Sequence, residues 1–88
     1  MDVSTTPAVE RVARVLAGQH ISANAEGDAE SAGRQVDDIW RDYLPDAIAV
    51  LKTLREPDQA MADAGDPGVW EAMILAGLER GKPATVVL

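Results

Sequence analysis

Eighty-eight residues suffice for one domain and leave no room for a second core. A net charge of −7, from 15 acidic and 8 basic residues, excludes unaided binding to nucleic acid or an anionic membrane, since both need a basic footprint. The lack of cysteine excludes a disulfide scaffold and a zinc–thiolate site. With no signal peptide and no apolar run of about 18 residues, the expected location is cytoplasmic and no membrane contact is expected.

The chain opens on a loose stretch, residues 1–5, followed by Thr6 as N-cap and Pro7 at the first helical position. Val9, Val12, Ala13 and Leu16 then follow helical spacing, Glu10 and Arg14 form an i,i+4 pair, and Gly18 reads as the stop, giving a helix over 7–17. From 18 to 32 the pattern is lost among Gly, Ser, Asn, Asp and Glu, with Ile21 the only large apolar residue, so a loop is expected. Val36, Ile39, Trp40 and Tyr43 restart the period, and Leu44, Ala47, Ile48, Leu51 and Leu54 continue it, giving a helix over 33–55 that breaks or kinks at Pro45. Pro57 opens a short helix through Met61 that closes at Gly65. Asp66-Pro67 begins the last helix, over 67–80, with Trp70, Met73, Ile74 and Gly77 on one face and Gly81 and Pro83 as its stop. The apolar tail 82–88 is too short to assign. The fold class is therefore all-α, a small bundle of four to five helices.

Its expected core is Val12, Leu16, Ile39, Trp40, Tyr43, Ile48, Leu51, Leu54, Met61, Trp70, Met73 and Ile74. That core is thin. Ala supplies 15 of the apolar residues, Phe is absent, and each Ala contributes little burial energy, so the two Trp side chains must supply a large share. A chain in this position commonly gains stability by oligomerising, and a two-fold dimer is the expected form.

Few residues carry chemistry. His20 is the one side chain whose ordinary pKa suits acid–base work near neutrality, but Ser22 two positions on supplies no orienting acid, and an exposed loop histidine is the plainer reading. Asp38, Asp42 and Asp46 step along one side of the second helix and across Pro45, a spacing that can hold Mg²⁺. Such sites draw acids from two facing helices, and the available second set (Glu26, Glu30, Asp63 and Asp66) is scattered, so a solvated acidic face is favoured. Acids interleaved with Arg, as in Glu30/Arg34 and Asp37/Arg41, do not make the dense rows of a DNA mimic either. Trp40, Tyr43, Trp70 and Met73 can line a ligand pocket, though aromatic and Met residues at this spacing read first as core. Gly81-Lys82 runs into Pro83 and is no phosphate loop. A helix-turn-helix around Gly65 would present Glu71 and Glu79 to a groove, with Arg80 the only cation. No catalytic residue, cofactor site or metal site is assigned.

The stretches Glu10-Arg-Val-Ala-Arg14, Trp40-x-x-Tyr43, Leu54-Arg-Glu-Pro57 with Met61 and Gly65, and Trp70-Glu-Ala-Met-Ile74 resemble a group of small proteins from bacteriophage and proteobacterial genomes. The likeness spans most of the chain outside 18–32 and the tail, and departs in the short link between Gly65 and Trp70. It implies a helical fold and a phage-linked or accessory role, and transfers no catalytic residue. The function expected from the sequence is a non-catalytic helical interaction module, working as a homodimer or with a protein partner. The alternative is a metal-dependent hydrolase of nucleotides or other phosphorylated ligands, using the Asp38/Asp42/Asp46 row.

Overall fold

A computed structural model describes residues 3–24 and 29–80 of the chain. The elements run α1 (Ala8–Asn24), α2 (Ala29–Ile39), a 3₁₀ turn (Trp40–Tyr43), α3 (Leu44–Leu54), α4 (Gln59–Ala64) and α5 (Pro67–Arg80). The protein is a small all-α bundle, with no strand among the described residues. Among the described residues, no helix is long and apolar enough to cross a membrane.

α1 is the hub, packing against α2, the 3₁₀ turn, α3 and α5. Its inner ridge repeats every four residues: Val9, Ala13 and Ala17 are fully inaccessible and Ile21 nearly so. Small side chains on this ridge let the neighbouring backbones approach closely. Trp40, Ala47 and Leu51 complete the buried cluster, and Val12, Leu16, Val36, Ile39, Tyr43, Ile48, Ile74 and Leu78 close over it, half-buried.

The ridge corrects the expected loop at 18–32. α1 continues through Gly18 to Asn24, because Ile21 falls one ridge step beyond Ala17 and its burial outweighs the roughly 1 kcal/mol cost of an interior glycine. Gly18 faces Val36 of α2, where a Cβ would lie 3.7 Å from Val36 Cγ2. α2 then starts at Ala29, earlier than the expected 33, leaving only 25–28 of that loop outside the described residues. The expected stop at Gly81 and Pro83 and the tail 82–88 also lie outside them.

The start of α1 is corrected by one residue. Pro7 is the cap itself: its carbonyl accepts from the Arg11 N–H at 3.1 Å, while the Thr6 N–H donates to Ser4 Oγ at 3.1 Å. Pro45 divides the long second helix rather than kinking it. The chain tightens into the 3₁₀ turn at Trp40–Tyr43, and Pro45 sits in the first turn of α3, where its missing N–H leaves no bond unmade. α4 is capped by Asp58, whose carboxylate accepts from the Met61 N–H at 3.0 Å, so it begins at Gln59 rather than at Pro57. It ends at Gly65 in extended backbone (φ −161°), a conformation open to any residue and not a left-handed glycine cap. Asp66 caps α5 through one carboxylate oxygen, 2.8 Å from the Gly68 N–H and 3.2 Å from that of Val69.

Candidate functional site

Trp40 and Trp70 have the same residue type and different surroundings. Trp40 is 8% exposed, with the guanidinium of Arg41 4.5 Å and that of Arg14 5.0 Å from its ring centroid. Arg14 is bridged to Glu10 at 2.8 Å and to Asp37 of α2 at 2.7 Å. These carboxylates, Asp37 foremost, raise its pKa and hold it charged. Asp37 thus pairs across helices with Arg14, while Arg41, in the 3₁₀ turn, lies over the Trp40 ring.

Trp70 is half-buried, and α5 contributes no fully buried residue at all. Its indole N–H donates to the Leu54 carbonyl at 2.6 Å, tying α5 to the last turn of α3. With the ring fixed there, its other side faces a surface groove of about 350 Å³ lined by Pro57, Met61, Ala64, Val69, Trp70 and Met73, together with Gly65, Asp66 and Pro67. Among the described residues Asp66 is the only charged one on this lining, and the carboxylate oxygen that caps α5 is already engaged.

Two residues expected in the core are exposed. Met73 is 63% exposed and Leu54 42%. α5 docks through Ile74 and Leu78, with Gly77 against Ala8, and that choice rotates Met73 away from the core. Met73 joins Val69, Ala72 and Ala76, all exposed, in a second apolar stripe at i, i+3, i+4, i+7 beside the groove. Leu54 ends α3 outside the buried cluster and contributes its carbonyl instead of its side chain. Met61 stays half-buried on the groove wall. The sequence reading missed the stripe by taking Met73 for the core face; the spacing of Val69, Ala72, Met73 and Ala76 was the available signal.

The remaining candidates are not assembled. Asp38, Asp42 and Asp46 are exposed on three successive elements: α2, the 3₁₀ turn and α3. No three His, Asp or Glu side chains are grouped to hold a metal ion among the described residues. His20 is exposed on α1, not on a loop, with its ring 6.0 Å from that of Tyr43 at an interplanar angle of 48°. Trp40 and Tyr43 stand in and over the core, so they do not share a pocket with Trp70 and Met73. A wider cleft of about 670 Å³, lined by Arg14, Gly33, Arg34, Val36 and Asp37, includes the Arg14–Asp37 bridge, so two of its three charges neutralise each other. Among the described residues, the groove beside Trp70 combines largely apolar walls with the exposed side chains of Val69 and Met73. No family model matches the chain, nor does any curated protein or solved structure.

Proposed function

We propose that the protein is a non-catalytic helical interaction module that presents its α4–α5 face to another polypeptide. The observation that carries this reading is the second stripe of α5. Val69 is 56% and Met73 63% exposed, next to a groove walled by Trp70 and Met61, in a chain with few large apolar residues to spare. A small-ligand site is less well supported, since orienting polar groups are what such pockets add to apolar walls, and here the one charged side chain is occupied as a helix cap. The occupant of the face is another polypeptide: a second copy, which would make the expected two-fold dimer, or a different protein. The phage-linked accessory setting and the cytoplasmic location belong to the same proposal.

Light scattering at tens of micromolar protein, with affinity capture from the host, compares the wild type with Met73→Glu. A dimer mass that falls to a monomer in the variant, or a captured protein lost with it, supports the module. Identical mass and identical captured proteins, accompanied by thermal stabilisation by Mn²⁺ that Asp42→Asn removes, would overturn it in favour of the metal-dependent hydrolase.

A further inference from the structure

The groove's charge setting narrows its occupant. From Glu56 to Glu79 the chain carries Glu56, Asp58, Asp63, Asp66, Glu71 and Glu79 and not one Lys, Arg or His, and all six acids are exposed. The nearest cations in the sequence, Arg55 and Arg80, bracket that stretch. The groove and the adjoining stripe are apolar within this acidic surround. A second copy docked face to face would bring a like set of carboxylates against these; Arg80, at the far end of the α5 stripe, is the one cation there to answer them, and it already donates to the Thr5 carbonyl. Nucleic acid and anionic lipid are repelled on the same grounds.

Resting on the reading of this face as a protein-contact surface, we propose that the α4–α5 groove receives a basic amphipathic segment of a different protein: apolar anchor residues flanked by Lys or Arg. The anchors enter between Met61, Trp70 and Met73, while the flanking cations meet Asp66 on the groove wall and Asp58 and Asp63, which adjoin its lining residues Pro57 and Ala64. Helix-in-groove recognition needs an apolar trough able to adapt to its occupant, and methionine supplies that adaptability. Trp70 supplies the rigid wall, held by its bond to the Leu54 carbonyl. Val69, Ala72, Met73 and Ala76 extend the apolar strip along α5, in the direction an added helix would lie.

The test uses the full chain and a fluorescent peptide of about 18 residues with Leu and Lys at helical spacing, read by anisotropy. A Leu/Glu peptide of the same pattern and a Ser/Lys peptide of the same charge serve as comparisons. The expected result is micromolar binding of the Leu/Lys peptide and at least about tenfold weaker binding of both others. Met73→Glu and Val69→Glu each weaken it by about tenfold or more, although both make the protein more acidic; mere charge attraction would strengthen it. Asp63→Lys weakens binding, and Val15→Glu, on exposed α1 surface outside the groove lining, does not. Two groove variants guard against a single misfolded one, and their melting curves identify it.

Equal binding of the Leu/Lys and Leu/Glu peptides, or wild-type affinity in both Glu variants, would overturn the proposal. So would a wild-type dimer that Met73→Glu dissolves and the peptide does not displace, which assigns the groove to a second copy. That last outcome leaves the module reading standing, so the two failures are distinguishable.

Discussion

The two tryptophans mark two halves of the bundle built on opposite terms. Around Trp40, the α1 ridge of Val9, Ala13 and Ala17 meets Ala47 and Leu51 with almost nothing left open to solvent. Around Trp70, α5 has no fully buried residue, and Val69, Met73 and Leu75 stand exposed. Small side chains make the first half close-packed. The second half holds larger apolar side chains than its neighbours can cover. One half therefore closes the core, and the other leaves apolar surface exposed.

The largest expected effect follows from that division. Trp40→Ala should cost about 3–5 kcal/mol, a large part of the 5–15 kcal/mol that typically holds a domain together, measured as a drop in urea midpoint at unchanged m. Trp70→Ala should fall clearly short of it, because Trp70 is only partly buried and lies outside the buried cluster. Equal losses for the two would erase the distinction between the halves. Next comes Ala13→Leu, on a fully inaccessible ridge position, which should cost about 1–3 kcal/mol by forcing α1 away from its neighbours. If it is tolerated, the ridge is less tightly packed than its burial implies.

Smaller effects sharpen the boundary. Trp70→Phe keeps an aromatic ring but removes the pyrrole half of the indole with the N–H bonded to the Leu54 carbonyl, so a loss of at least about 0.5–1.5 kcal/mol is expected in a thermal or urea melt. Gly18→Ala should stabilise by about 0.5–1 kcal/mol, since the new methyl meets Val36 at an ordinary 3.7 Å and an interior helical glycine is replaced. A loss there would mean that 18–24 is not helical in solution. Smallest of all, Met73→Glu should leave stability within about 0.5 kcal/mol, as expected for a substitution on exposed surface.

Much of the architecture was legible in the chain. Asp66-Pro67 marked the start of α5 and Arg80 lies at its end as expected, while Pro45 marked a discontinuity that the 3₁₀ turn resolves. What failed was weighting a local stop above a distant burial. Gly18 signals a helix end, and only the packing of α1 on its neighbours makes Ile21 worth carrying the helix through it. The candidate site was half legible: Trp70, Met61 and Met73 were singled out, but as core.

What the sequence by itself determined is the helical class, the proline and aspartate starts and the acidity of 56–79, because these depend on backbone preferences and charge counts within a few residues. Only the tertiary structure decided which side of α5 faces inward. Trp70, Ile74 and Leu78 lie to one side of Gly77, and Val69, Met73 and Ala76 to the other, so α5 is apolar over more of its circumference than one docking contact can cover. The approach of Gly77 to Ala8 settles the rotation, placing Ile74 and Leu78 on the core and Met73 on the surface. Spacing within a helix is a local property, whereas the choice between two apolar faces belongs to whatever packs against it.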